Sequence, residues 1–345
     1  MSSKKSSTKT EVAVSYRPQP LIGQQAAQAL LCQLMSSGKV PHALLLHGPK
    51  GIGKRLLAEH LAWTLLCGKL PLSAPDELVY DEASPAAPIL EQGAHGGLHI
   101  LVPDDGKKSI SVEQVRKVLG KLNLADEDWR IVIIDAAEDM TSAGANSLLK
   151  TLEEPSGQTL LILISHTPSR LLPTIISRCR QVRCQPLEET AVRQILTTHE
   201  VDTAHLNLSI NIAAGSPGRA LRILAEGPHV LLELHDYFRA LGRNQQSDIT
   251  AQAERLLIKS TPADLVFEVL NWWLTQFSLA AAGAAHALPD EMIPLSQRLT
   301  ALGWADLQQQ ALHLQLEAQN LNLTSQLVLE SMLETLPRKL QSAAA

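Results

Sequence analysis

The residues with the clearest chemical potential are Gly48-Pro49-Lys50-Gly51-Ile52-Gly53-Lys54-Arg55. They follow a short apolar run, Ala43–His47, and open a helical stretch over 55–67. Strand, glycine-rich loop and helix in that order are the context of a phosphate-binding loop. Gly48, Gly51 and Gly53 let the backbone curl until its N–H groups face an anion. The helix N-terminus adds a favourable field, and Lys54 adds a point charge for the β and γ phosphates. One position departs from the pattern. A Ser or Thr hydroxyl after the lysine would ligate Mg²⁺; Arg55 stands there, a cation without an oxygen. The stretch therefore reads as a nucleotide loop with an impaired metal side, or as a glycine-rich turn with no ligand.

A second element is Arg130-Ile131-Val132-Ile133-Ile134-Asp135. An apolar strand ending in Asp sets a carboxylate beside such a loop. Asp135 is thus the candidate for the metal side, although a strand-end Asp also caps turns. A hydrolytic site needs a carboxylate to activate water directly after it. Ala136 and Ala137 follow instead, and Glu138 comes three residues late. The loop keeps features for holding phosphate and lacks those for splitting it.

These residues require a particular frame. Five short apolar runs, at 43–47, 98–102, 131–135, 160–165 and 182–184, alternate with helical stretches. That alternation predicts an α/β domain with a five-stranded parallel sheet covered on both faces. Ser111 and Gln114 have capping-box spacing ahead of Val115, Leu119 and Leu122. Thr141 or Ser142 caps the next helix, and Pro155 stops it. Residues 68–97, rich in Pro, Ala, Ser, Asp, Glu and Gly, read as an excursion between a helix and the second strand. After Pro186 the strands stop, and the remainder is helical.

The predicted organisation is a flexible tail over 1–17, an α/β domain over 18–186, a three-helix domain over 187–236 and an all-α domain over 237–345. The chain has 345 residues, is 45% hydrophobic and only 3% aromatic, so aliphatic side chains must fill its cores. A net charge of −5 gives no global attraction to nucleic acid. Cys32, Cys67, Cys179 and Cys184 are few and scattered, which fits a reducing compartment. The start carries no apolar stretch of the signal-peptide kind, and no run approaches the roughly 18–20 apolar residues of a membrane span. A cytoplasmic protein without a membrane partner is expected.

Two further stretches make the sequence recognisable. Asn146-Ser147-Leu148-Leu149-Lys150-Thr151-Leu152-Glu153-Glu154-Pro155 resembles the signature helix of bacterial clamp-loader subunits. So does Leu171-Leu172-Pro173-Thr174-Ile175-Ile176-Ser177-Arg178-Cys179-Arg180, with its Ser-Arg-Cys triplet. The resemblance covers about residues 21–225 and continues more weakly beyond. It implies the AAA+ phosphate-loop fold, a small helical lid and a helical collar used for oligomerisation. Within that family the departures resemble the delta-prime branch of DNA polymerase III rather than the ATP-hydrolysing motor. A motor would carry Thr at position 55, an acidic pair at 135–136 and an Arg within the Gly215-Ser216-Pro217-Gly218 stretch; here Arg219 stands one place late.

The resemblance implies a ring that opens the sliding clamp and places it on primer-template DNA, with motor subunits and a delta subunit as partners. It gives Arg178 the role of a finger reaching a neighbour's ATP, against the plainer reading of a surface charge beside Arg180 and Arg183. No cofactor is required, weak ATP or ADP binding at Gly48, Gly51, Gly53 and Lys54 stays open, and no zinc is expected because 68–97 holds no cysteine. Two other classes compete: an active motor ATPase, and a phosphoryl-transfer enzyme, for which no arginine-bearing lid is evident. His95 and His99 lack a third ligand at metal-binding spacing. Trp272-Trp273 suits core or inter-subunit packing better than base stacking. Lys107, Lys108, Arg116, Lys117 and Lys121 surround a helix that can face DNA or solvent.

Overall fold

A computed structural model describes residues 17–38, 40–68, 76–122, 129–199, 205–245, 248–258, 261–321 and 324–344. The expected tail, Arg17 apart, lies outside the described residues. The chain divides into two compact units, 1–191 and 192–345.

The first unit is built on five strands: β1 (Ala43–His47), β2 (Leu98–Leu101), β3 (Arg130–Asp135), β4 (Thr159–Ser165) and β5 (Arg180–Arg183). All pair in parallel, in the order β2-β3-β4-β1-β5. All five expected strands are present, and their ends shift by two residues at most. The middle strand, β4, is buried along its whole length, and so are the inner residues of β3. A parallel strand covered on both faces needs a continuous apolar run, which Leu160-Leu161-Ile162-Leu163-Ile164 supplies. Successive side chains alternate between the two faces. Leu45, Val132, Ile134, Leu161 and Leu163 share one cluster with Val115, Leu148 and Leu152.

Helices α1 (Gln25–Ser36), α2 (Lys54–Cys67), α3 (Ala87–Glu91), α4 (Val112–Lys121), α5 (Ser142–Glu153) and α6 (Pro173–Ile176) complete this unit. The Ser111–Gln114 capping box forms in both directions, with Ser111 N–H donating to Gln114 Oε1 at 2.9 Å and Gln114 N–H to Ser111 Oγ at 3.3 Å. Thr141 caps α5 by accepting from Gly144 N–H at 3.2 Å. The described part of the 68–97 excursion is anchored rather than loose. Tyr80 packs on Trp63 of α2 with ring centroids 4.8 Å apart, and Ala87 and Leu90 join Trp63 and Cys67 in a small buried cluster. Its spacing shows no helical or strand period because it packs through single anchors. Arg116, Lys117 and Lys121 lie exposed on α4, and Lys107 pairs with Asp104 at 2.8 Å.

The second unit is helical throughout. Helix α7 (Glu189–Thr198) precedes α8 (Leu206–Ala213), α9 (Pro217–Glu226), α10 (Pro228–Gly242), α11 (Ile249–Leu256), α12 (Ala263–Ala281), α13 (Ile293–Ser296), α14 (Ala301–Leu321) and α15 (Ser325–Ala344). The expected boundary at 236/237 falls inside α10, a single helix. One apolar cluster draws on α8 through α15, from Ile212 to Leu340. Its centre is aromatic, with Phe277 stacked on Trp304 at 4.6 Å and edge-on to Phe238 at 4.9 Å. Trp272 and Trp273 are buried in this cluster. Among the described residues, no helix is long and apolar enough to cross a membrane.

The sheet core sets a stability expectation. Leu163, fully buried on the middle strand, should cost about 2–5 kcal/mol when replaced by Ala, through lost transfer energy and the cavity left behind. Urea unfolding of Leu163→Ala should show that drop with an unchanged m-value.

Candidate nucleotide site and the Ser-Arg-Cys edge

The loop between β1 and α2 curls as its glycines require. Gly48, Gly51 and Gly53 all take positive φ, at 150°, 80° and 92°. Gly48 is also fixed by space: a Cβ there would lie 2.3 Å from the Cys184 carbonyl oxygen. Its N–H donates to Ser165 O at the end of β4 at 3.3 Å. The loop is therefore seated between the ends of β4 and β5.

Lys54 begins α2 and is only 3% exposed. Its ammonium donates to Gly48 O at 2.7 Å and to Pro49 O at 2.5 Å. Burial pulls its pKa down to about 8, against the upward pull of Cys184, Asp135 and Glu138. The charge that would meet phosphate is folded onto the loop's own carbonyls.

Arg55 resolves the metal question. Its guanidinium pairs with Glu59 one turn along α2 and reaches Asp135 Oδ2 at 3.3 Å. The phosphate-loop fold implies Mg²⁺, held by a hydroxyl after the lysine and by the strand-end Asp. Here the hydroxyl is a guanidinium, and the carboxylate faces a cation already. The donor set does not fit Mg²⁺. Asp135 lies beside the loop, as the sequence suggested, and engages Arg55.

Glu138 is held by backbone donors at the end of β4. One carboxylate oxygen accepts from the backbone N–H of His166 at 2.7 Å and of Thr167 at 3.1 Å. Burial pushes its pKa up, but the hydrogen bonds from the backbone N–H groups of His166 and of Glu138 itself outweigh it, and the net shift is downward. Glu138 thereby ties the short turn after β3 to the end of β4. A cavity of about 600 Å³ opens here, lined by Lys50, Asp135, Glu138, His166 and Arg170 among others. His166 and Arg170 were not singled out from the sequence. The signal available was the position of His166 directly after the apolar run of β4, since ligands bind outside the carboxyl ends of parallel strands. Burial and the nearby Lys54 lower the His166 pKa.

The Ser-Arg-Cys triplet lies at a different edge, between α6 and β5. Cys179 turns inward to the cluster of Leu171 and Ile175, and burial raises its thiol to about 11. Arg178 turns outward, with its side chain 36% exposed. Its Nη2 reaches Glu153 Oε1 at 2.7 Å, and its Nη1 donates to Thr174 O at 3.0 Å. Arg178 is not among the residues lining the cavity. Arg219 of α9 is engaged within the second unit, paired with Glu268, while Arg222 pairs with Asp264 at 2.8 Å. All four cysteines are buried and free, and no group of three or more His, Cys, Asp or Glu among the described residues lies together to hold a metal.

The strand order and the glycine loop between β1 and α2 define the class, a phosphate-loop α/β domain on a parallel five-stranded sheet. Residues 23–188 match the family described as DNA polymerase III, delta subunit. The chain is 41% identical over 204 residues to the DNA polymerase III subunit delta-prime of Pseudomonas aeruginosa, covering 58% of this chain and 61% of that protein. It is 33% identical over 190 residues to the Escherichia coli subunit delta-prime, covering 54% and 55%. A DNA polymerase III gamma subunit-related protein of Thermotoga maritima aligns structurally at 15% identity and a TM-score of 0.46, covering 92% of this chain and 100% of that one. The chain is thus similar to DNA polymerase III delta-prime subunits over somewhat more than half of its length. The chain spans about three fifths of the length of the curated relatives it matches.

The buried lysine gives a pH expectation. The Lys54 ammonium should titrate near 8 in the folded chain, against 10.5 ordinarily. The unfolded chain then holds the proton more tightly, so this group makes folding stability rise with pH across that window. NMR titration of the Lys54 side chain checks the midpoint, and Lys54→Met should remove this part of the pH dependence.

Proposed function

We propose that the chain is a delta-prime-type subunit of the DNA polymerase III clamp loader. It helps motor subunits and a delta subunit load the sliding clamp onto primer-template DNA in the cytoplasm, with no membrane involved. It is an accessory subunit of a DNA-directed DNA polymerase holoenzyme and does not hydrolyse ATP itself. The observation that carries this is the charge replacement at the loop: Arg55 paired with Asp135 and Glu59 where a metal would be held. The orientation of Glu138 toward backbone N–H groups supports the same reading. No cofactor or zinc is required. Any binding of ATP or ADP at Gly48, Gly51, Gly53 and Lys54 is weak and independent of Mg²⁺.

The useful chemistry sits at the edge. Arg178 lies between α6 and β5 with its side chain 36% exposed. A guanidinium offered across a subunit boundary can stabilise charge on a neighbour's transferring γ-phosphate, an effect of about 10³–10⁵ in GTPases. Lysine cannot reproduce the planar fork.

Two experiments test the assignment. Calorimetry of the isolated chain with an ATP analogue should show weak or no binding, the same with and without Mg²⁺. Tight Mg²⁺-dependent binding with turnover would instead make it a motor. In a reconstituted complex with only the adjoining motor site competent, Arg178→Ala should lower DNA-stimulated hydrolysis by about 10³-fold. Unchanged hydrolysis would remove Arg178 from the mechanism.

A further inference from the structure

Arg178 is held at both ends of its guanidinium by the chain's own groups. Glu153 Oε1 lies 2.7 Å from Nη2, and Thr174 O accepts from Nη1 at 3.0 Å. The two anchors come from different elements. Glu153 is the last residue of α5, and Thr174 lies in α6, a helix of only four residues. Neither would be enough alone. The carbonyl fixes one corner of a flexible side chain, and α6 is too short to dictate a rotamer.

The placement of Glu153 has a physical logic. A carboxylate at a helix C-terminus meets the negative end of the helix dipole and seeks a cation. Pro155 stops α5 just beyond it. Arg178 supplies the cation. Nη1 also donates to Ser177 Oγ at 3.5 Å, so up to three of the five N–H donors in the fork are engaged. The side chain stays 36% exposed, so the fork is ordered without being covered.

We propose that Glu153 is a positioning residue for Arg178. It pre-orders the guanidinium so that the remaining donors meet a neighbour's phosphate without a search through rotamers. This rests on the finger role proposed for Arg178. An exposed ion pair adds little to stability, so the effect belongs in turnover. Fixing a reacting or stabilising group in its working geometry is where small displacements have large consequences.

The test uses the reconstituted complex with only the adjoining motor site competent, comparing Glu153→Ala, Glu153→Gln and Arg178→Ala. Glu153→Ala should lower kcat about 10–100-fold, with KM for ATP and the melting temperature of the complex unchanged. Glu153→Gln, whose amide oxygen still accepts from the fork, should recover most of the rate. Arg178→Ala should lose more than either. If Glu153→Ala leaves kcat unchanged or raises it while Arg178→Ala abolishes it, the positioning role falls and the finger stands. If Arg178→Ala is without effect, the finger itself falls. If Glu153→Ala lowers the melting temperature or weakens assembly and Glu153→Gln does not restore turnover, Glu153 is a structural residue and the proposal is overturned.

Discussion

A parallel sheet whose inner strands are buried on both faces gathers polar chemistry at the carboxyl ends of those strands. The layout of the phosphate-loop site follows from that confinement. The phosphate loop leaves β1, Asp135 ends β3, and the Glu138 carboxylate bridges to the backbone just past β4. The loop can sit so close only because Gly48 has no Cβ to meet the Cys184 carbonyl. The apolar runs inside the sheet thus decide where charges meet, though they carry none themselves.

At that meeting point the balance of charge differs from that of a hydrolytic site. Catalysis of phosphoryl transfer asks for a metal between the loop and a carboxylate, and for donors aimed at developing negative charge. Here the carboxylate is neutralised by Arg55, and Lys54 is turned onto Gly48 and Pro49. Lys54, Arg55 and Asp135 are thus all engaged within the chain. The Ser-Arg-Cys edge is the reverse case. Cys179 anchors the turn from within, and Arg178 keeps donors outward after meeting Glu153 and Thr174.

Much of this was legible in the sequence, because the signals were local. Short apolar runs marked every strand, and reciprocal Ser111–Gln114 spacing marked a helix start that formed as expected. The missing hydroxyl at 55 and the missing carboxylate at 136 could be read from residue type alone. What the sequence withheld were pairings over distance. The contact of Arg55 with Asp135 spans 80 residues, that of Arg219 with Glu268 spans 49, and Arg178 meets a carboxylate at the end of α5. No periodicity reports such meetings. The anchoring of 76–97 on Trp63 was hidden for the same reason, since isolated contacts by Tyr80 and Leu90 leave no pattern.

The four cysteines carry a consequence of another kind. All are buried, and burial raises each thiol, with Cys179 and Cys184 reaching about 11. Only the thiolate reacts with oxidants and alkylating reagents. At neutral pH a thiol of that acidity is ionised to about one part in 10⁴. The native thiols are thus chemically quiet in the folded protein, for want of both ionisation and access. A single cysteine introduced on an exposed surface would be the reactive one, and a fluorophore or spin label could be attached there with the native four left in place.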